Sequence, residues 1–150
     1  MSEAAPYVSS FVLEYAYKRS LGPVLSRFFS GLKAGVLLGG RTESGQLLVP
    51  PTEYDPQTGH DLAGLEVVST TGTLVSWTPV AKPGPQHPLD TPFSFALVRL
   101  DGTDSDLLHV VLDDPAGLST GARVRLCWRE AEHRVGAITD IEGFRLVADD

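Results

Sequence analysis

The sequence predicts a mainly β protein in which an N-terminal arm with one helix and a hairpin precede a small closed barrel. Three observations predict this fold class. Apolar residues recur at helical spacing once, within residues 1–35. Two short apolar runs flank a glycine-rich turn within 36–64, and five strand-like segments separated by turn signals fill 65–150. We expect one compact domain overall, since 150 residues suit a single hydrophobic core.

The N-terminal third contains the arm and the helix. Residues 7–18 alternate between apolar and polar side chains, and this period of two predicts an extended arm or strand. Residues 22–35 are typical of an amphipathic helix, because a proline suits its first turn and a glycine suits its end. Its apolar face consists of Val24, Leu25, Phe28, Phe29 and Leu32. We expect Phe28 and Leu32 to pack this helix onto the barrel.

The hairpin and the barrel are predicted from short apolar runs between turns. Residues 36–38 and 46–49 flank a turn-forming stretch at 39–45, which predicts the hairpin. Five later segments have the length and composition of strands, and they are separated by proline, glycine and aspartate. They span residues 67–80, 93–100, 107–112, 123–129 and 136–147. Since no further helical pattern occurs, these strands indicate a small closed barrel.

Composition and charge restrict the classes of function. The net charge of −7, from 19 acidic and 12 basic residues, disfavours broad nucleic-acid binding, which depends on neutralising phosphates. No apolar window approaches the roughly 20 residues of a membrane span, so we expect no membrane association. The start lacks the pattern of a signal peptide, so we expect a cytoplasmic protein.

Catalytic patterns are missing from the sequence. It contains no Gly-x-Ser-x-Gly elbow and no glycine-rich nucleotide-binding loop. The single cysteine, Cys127, lies within a predicted strand, where no helix N-terminus lowers its pKa. The histidines are not spaced as metal ligands; they are His60, His87, His109 and His133. We therefore expect no catalytic centre and no cofactor.

A row of arginines occupies one face of the predicted strand 123–129. Arg123, Arg125 and Arg129 alternate with apolar side chains. The simplest interpretation is a solvated face that balances the many carboxylates. The alternatives are an anion-binding face for phosphates and, on a barrel, a binding face for single-stranded nucleic acid.

The first half of the chain resembles a known family. The resemblance rests on Tyr15-Ala16-Tyr17, Ser20-Leu21-Gly22, the run from Ser26 to Gly35, and Val49-Pro50-Pro51. These segments are similar to the acyl-CoA-associated OB-fold proteins with a rubredoxin-like zinc ribbon, known as domain of unknown function 35. The resemblance implies a helix, then a ribbon built on two Cys-x-x-Cys pairs around a Val-Pro-Pro-like bridge, then a five-stranded OB-fold barrel.

The chain departs from that family at the metal site. The four positions that hold cysteines in the family are here Arg41, Ser44, Asp55 and Thr58. The resemblance therefore implies a degenerate, metal-free ribbon. We expect an Arg41–Asp55 ion pair to span the old site, and packing of Leu47, Val49 and Tyr54, or a partner protein, to supply the remaining stability.

The resemblance also implies a function. Similar proteins accompany thiolase-superfamily enzymes, including sterol-carrier-type (lipid-transfer-protein type) aldolases that cleave steroid side-chain CoA thioesters. The implied role is a non-catalytic accessory subunit of such an aldolase or thiolase. Aromatic side chains suit an interface, and the candidates are Tyr7, Phe11, Tyr15, Tyr17 and Phe29.

Two other functions stay open at this point. The first is a stand-alone acyl-CoA-binding module. Its candidate contacts to the CoA phosphates are Lys18, Arg19, Arg123, Arg125 and Arg129. The second is a single-stranded nucleic-acid-binding protein, which the acidic net charge disfavours.

The degenerate ribbon generates a prediction about metal content. A structural zinc ion contributes on the order of 10 kcal/mol to folding, yet the four ligand positions hold no cysteine or histidine. We predict that the purified chain contains no stoichiometric zinc by elemental analysis. One zinc ion per chain would refute the alignment of the four positions.

Overall fold

The structure, a computed structural model, describes residues 9–148 and confirms the predicted mainly β fold. It has one α-helix in this range, α1 (Pro23–Ala34). A three-stranded sheet consists of β1 (Leu38–Arg41), β2 (Leu47–Leu48) and β3 (Gly64–Val67). A closed barrel consists of β4 (Thr71–Val80), β5 (Phe93–Leu100), β6 (Asp106–Val111), β7 (Arg123–Trp128) and β8 (Ile141–Leu146).

The arm does not form the strand that its alternating pattern permits. Residues 9–22 have neither helical nor strand geometry, and residues 9–21 are exposed. Phe11, Tyr15 and Tyr17 each expose about 80% of their surface (81%, 80% and 80%). An alternating pattern predicts a strand only where a neighbouring strand supplies hydrogen-bond partners, and none of the described strands pairs with the arm.

Helix α1 begins and ends where its sequence predicts. Gly35 closes it in the left-handed conformation, with φ of 74°. Phe28 and Leu32 are buried in the core, as predicted. Its N-cap, Gly22, has no side chain, so a side chain from another segment accepts the hydrogen bonds of the first helix amides. The Glu53 carboxylate accepts hydrogen bonds from the amides of residues 24 (3.3 Å) and 25 (2.8 Å).

The predicted hairpin is confirmed as β1 and β2, which are antiparallel. The predicted strand 67–80 starts too early, because Val67 is the last residue of β3, which pairs with β1, and β4 begins only at Thr71. The sequence did not predict β3. Beyond it, the Ser69 hydroxyl accepts a hydrogen bond of 3.0 Å from the Thr71 amide and starts β4 in a new direction. High β-propensity across both strands hides this break in the sequence.

The small sheet and the barrel are joined along β2. Leu47 and Asp104 exchange two hydrogen bonds of 2.8 Å, from the Leu47 amide to the carboxylate and from the Asp104 amide to the Leu47 carbonyl. The Ser105 hydroxyl accepts from the Val49 amide at 2.7 Å and donates to its carbonyl at 3.0 Å. These bonds occupy the outer edge of β2, which would otherwise offer unpaired backbone groups.

The barrel order is β4-β5-β6-β8-β7, and β4 also pairs with β7 to close it. All pairs are antiparallel except β6 with β8. The predicted strand 136–147 is too long, since a short 3-10 helix at Ile138–Asp140 precedes β8. Side chains such as Val98, Val124 and Phe144 fill the barrel interior and are fully buried.

The Glu53 contact generates a prediction about stability. We expect Glu53→Ala to lower the free energy of unfolding by about 1–2 kcal/mol, because two helix amides lose a charged acceptor. Urea unfolding followed by circular dichroism measures the change. Glu14→Ala, at an exposed position on the arm, is the control and should change stability little. Equal stabilities of the two variants would contradict the capping role.

Candidate functional site

A groove on the outside of the barrel is the main concave feature of the described residues. It has a volume of about 760 Å³. Its floor is the outer face of β5 and β6, and its walls are the β4–β5 loop (81–92) and the β7–β8 loop (129–140). Most of its lining is apolar; these side chains are Leu89, Phe95, Leu108, Val110, Trp128, Ile138 and Ile141.

The 129–140 loop is fixed from inside by Asp140. This carboxylate is fully buried and accepts hydrogen bonds from the amides of Val135 (2.9 Å), Gly136 (2.6 Å) and Ala137 (3.2 Å). Burial acts to raise the pKa of Asp140, but these amides and the charge of Arg129 outweigh it and hold the pKa below its ordinary value. The side chain is therefore a charged anchor for the loop.

His109 provides a second anchor for this loop. It lies on β6, and its Nε2 atom is 3.4 Å from the Ile138 carbonyl oxygen. Its ring packs edge-on against Phe144, with centroids 6.2 Å apart, and its Nδ1 atom is buried without a hydrogen-bond partner. Burial lowers the pKa of His109, despite opposing hydrogen bonds to the backbone. The neutral imidazole therefore acts as a structural contact in the groove wall.

Charged side chains lie at the mouth of the groove. Arg129, Glu130, His133 and Glu142 line this region, and Glu130 lies 3.6 Å from His133. Glu130, Glu132 and His133 form a cluster whose potential ligand atoms lie within 4.8 Å of one another. The three are exposed, and exposed acidic groups commonly occur without a metal ion, so the cluster alone assigns no metal site.

The structure keeps Arg123 and Arg125 on the exposed face of β7, as the sequence predicts. Arg123 forms a bidentate ion pair with Asp101, at 2.8 and 2.6 Å. Arg125 is exposed on β7, whereas Arg129 lies at the groove. A β-bulge between Cys127 and the next residue breaks the alternation of the strand. Arg123 is therefore engaged by Asp101, whereas Arg129 lies beyond the bulge; Lys18 and Arg19 are exposed on the arm.

Cys127 has the properties of a packed residue. Its side chain is half-buried, and burial raises the pKa of the thiol. A protonated thiol is a weak nucleophile.

At the end of β1, Arg41 pairs with Glu66 on β3 and donates to the Gly45 carbonyl at 2.6 Å, so the predicted Arg41–Asp55 ion pair is wrong. The register of β1 with β3 explains this partner, because it brings the two strands side by side. Asp55 is buried and accepts a 2.8 Å hydrogen bond from the Gln57 amide.

The two turns that the resemblance aligns with metal-binding turns are closed by hydrogen bonds. The buried Thr42 hydroxyl accepts from the Gln46 amide at 3.0 Å and lies 2.9 Å from the Ser44 hydroxyl. Thr58, in the second turn, accepts from the His60 amide at 3.3 Å. Leu47 and Val49 are buried as predicted, but Tyr54 is 59% exposed, which corrects its assignment to the packing.

The interface candidates differ in exposure. Tyr7 lies outside the described residues. Phe11, Tyr15 and Tyr17 are exposed on the arm, whereas Phe29 is half-buried and packs against Phe28 with ring centroids 5.4 Å apart. The aromatic content of the sequence points to the arm, but the groove was not predicted, since its lining comes from separated segments of the chain.

A closed five-stranded barrel with this strand order, and a groove over its second and third strands, defines an OB-fold. Residues 66–129 match the family model of the ChsH2 C-terminal OB-fold domain. No curated protein sequence matches the chain. None of the helices in residues 9–148 has the length and hydropathy to cross a membrane.

Two solved structures share the fold. One is described as the Ltp2-ChsH2(DUF35) aldolase, with 23% identity over 86% of this chain and 98% of that chain and a TM-score of 0.63. The other is a DUF35-family protein of unknown function from Sulfolobus solfataricus, with 19% identity over 86% of this chain and 85% of that chain and a TM-score of 0.61. Together with the family model, they confirm the resemblance found in the sequence.

The Asp140 anchor generates a prediction about stability and pH. We expect Asp140→Asn to lower the free energy of unfolding by about 2–3 kcal/mol at pH 7, since an amide nitrogen then faces a backbone N–H group. Asp90→Asn, at an exposed position in the 81–92 loop, is the control. Urea unfolding over a range of pH measures both variants.

The sign of the pH dependence follows from the lowered pKa. The carboxylate contributes fully above the unfolded-state pKa of about 4, and its contribution is lost as the pH falls through the lower folded-state pKa. The stability difference between the unchanged chain and Asp140→Asn should therefore shrink below about pH 4. A difference that grows on acidification would refute the charged anchor.

Proposed function

We propose that this protein is a non-catalytic accessory subunit of a thiolase-superfamily enzyme, a sterol-carrier-type acyl-CoA aldolase or a thiolase, in steroid or lipid side-chain degradation. One observation carries the proposal: the fold extends over 98% of a chain in the Ltp2-ChsH2(DUF35) aldolase, with a TM-score of 0.63. The substrate of the complex would be an acyl-CoA, and its location would be cytoplasmic.

The chemistry of the described residues supports a non-catalytic role. A nucleophile needs an adjacent base or a lowered pKa, whereas the pKa of Cys127 is raised by burial. His109 is held against the Ile138 carbonyl, and Asp140 is enclosed by backbone amides. The ionisable groups best shielded from water therefore have structural partners, and the partner enzyme would supply the nucleophile or base.

The exposed arm supports a protein partner. Phe11, Tyr15 and Tyr17 present large apolar surfaces to water on a segment that forms no helix or strand. Aromatic side chains of this kind dominate the energetics of protein interfaces when they become buried. The arm leads directly into α1, whose first turn is held by Glu53. The position at which the arm leaves the folded domain is therefore fixed.

The alternative of nucleic-acid binding has less support. The OB-fold face that binds single strands usually combines several cations with aromatic platforms. Here Glu130 and Glu142 accompany Arg129 around the groove, and Arg123 is already paired with Asp101.

Arm substitutions test the proposed interface. We expect Phe11→Ser/Tyr15→Ser/Tyr17→Ser to weaken binding to the proposed thiolase-like enzyme by roughly 100-fold or more, because interface aromatics each contribute about 2 kcal/mol. Co-expression, co-purification and titration calorimetry measure the effect. The matched control is Val67→Ser/Val135→Ser, at valines that are exposed outside the arm.

The enzyme alone provides the decisive comparison. We expect the thiolase-like protein to be less soluble or less active without this chain. If it were equally soluble and active alone, the accessory role would be wrong. If the arm and control variants bound it equally well, the arm would not be the interface.

A further inference from the structure

The groove on the barrel is one part of a longer apolar track. Its floor includes Leu108, which exposes 61% of its surface, and Ile138 adds an edge that is 38% exposed. A second hollow of about 200 Å³ shares Phe95 and Leu108 with the groove and continues it to Leu97 and Trp77. Together the two hollows cross β4, β5 and β6, so the track suits an elongated occupant better than a compact one.

The rim of the groove is acidic. Glu130 and Glu142 line it and are exposed, and Glu132 lies in the same exposed cluster as Glu130. Arg129 also lines the groove, but its positive charge already stabilises the Asp140 carboxylate. The rim therefore attracts a cationic group and repels an anionic one.

The arm has the complementary pattern of side chains. In an extended chain alternate side chains point the same way, so four apolar residues of the arm share one face roughly 20 Å long, with Glu14 on the opposite face. Each exposes at least 62% of its surface; they are Phe11, Leu13, Tyr15 and Tyr17. Two cations, Lys18 and Arg19, follow directly. The arm is thus an apolar stripe with a basic end, and the track is an apolar floor with an acidic rim.

The direction of the arm favours the groove of a second copy over its own. The arm precedes the first turn of α1, whereas the groove wall packs on the second half of the helix, where Gly136 lies against the Phe29 carbonyl and Lys33. The 12 residues of α1 separate its two ends by about 18 Å. To reach its own groove the arm would have to reverse along the helix, yet residues 9–21 are exposed throughout.

Reciprocal exchange of arms gives a closed pair of chains. If the arm of each copy lies in the groove of the other, both sites are filled and assembly stops at two. Each buried aromatic side chain removes about 150 Å² or more from water, and each described arm has three of them exposed. With the groove surface that they cover, two arms exceed the roughly 1,000 Å² that a specific interface needs.

We infer that the groove is the docking site for the arm of a second copy of this chain. Tyr15 and Tyr17 lie over Leu108, and Arg19 faces the acidic rim. The inference goes beyond the proposed function and does not rest on it. Because one arm cannot occupy a groove and an enzyme at once, a partner that binds the arm has to displace the second copy.

The oligomeric state of the full chain is the direct test. We expect sedimentation velocity to show a dimer at about 100 µM. Leu108→Glu should raise the dissociation constant of this dimer tenfold or more, because a charge would replace apolar contact surface. Val67→Glu is the matched control and should leave it unchanged, since Val67 is 70% exposed on the other sheet. Thermal melts like that of the unchanged chain would show that both variants fold.

A mixing experiment tests whether arm and groove meet between chains. Leu108→Glu keeps an intact arm, whereas Phe11→Ser/Tyr15→Ser/Tyr17→Ser keeps an intact groove. We expect each variant alone to be monomeric, and the two together to associate at least tenfold more tightly than either does with itself, through one arm and one groove. A monomeric unchanged chain, a dimer that persists in both variants, or a mixture no tighter than its components would overturn the inference.

The same variants separate this inference from the proposed function. Leu108→Glu should lose the dimer and still bind the thiolase-like enzyme, because its arm is unchanged. A groove-dependent dimer that fails to bind the enzyme would leave the inference standing and refute the accessory role. Enzyme binding by a chain that is monomeric on its own would refute the inference alone.

Discussion

The buried carboxylate of Asp140 is the constraint on which most of the outer structure depends. A charge enclosed by protein is costly unless polar groups compensate it, and here three consecutive backbone amides do so. The same bonds impose the path of the 129–140 loop. That loop forms one wall of the groove, and its Ile138–Asp140 turn packs against α1. One side chain therefore links the barrel, the helix and the candidate site.

The ribbon shows how a small motif is held by distributed contacts. A zinc ion concentrates about 10–16 kcal/mol in one site, whereas single hydrogen bonds contribute about 1 kcal/mol each. Here the hydrogen bonds within the turns, which the Thr42 and Asp55 side chains accept from backbone amides, are supplemented by bonds to other segments. Asp104 and Ser105 bind the edge of β2, and Glu53 binds the start of α1. The small sheet of β1, β2 and β3 is thus stabilised by hydrogen bonds to its neighbours.

The sequence was sufficient for elements whose signals are local. The helix has apolar residues at helical spacing, a proline in its first turn and a glycine at its end. Turn-forming residues mark the boundaries of the hairpin and of most barrel strands. The break before β4 was missed, because both flanking strands have the same propensities. The predicted ion-pair partner of Arg41 was wrong, because Glu66 comes close to Arg41 only when β1 pairs with β3. Asp140 could not be singled out, because its partners are backbone amides that any sequence possesses.

The groove could not be predicted from the sequence for a related reason. An exposed leucine such as Leu108 is ordinary by itself, and it becomes informative only when Phe95 and Ile138 lie beside it in a concave surface.

The arm and the groove make different physical demands on whatever binds them. The arm exposes aromatic side chains on a segment without secondary structure, so burying it requires a surface that also orders its backbone. The groove has ordered walls and requires only a molecule of the right shape. Between them lies α1, which continues the arm and packs on the turn behind the groove wall. Helix α1 therefore fixes the point at which the arm leaves the domain relative to the wall of the groove.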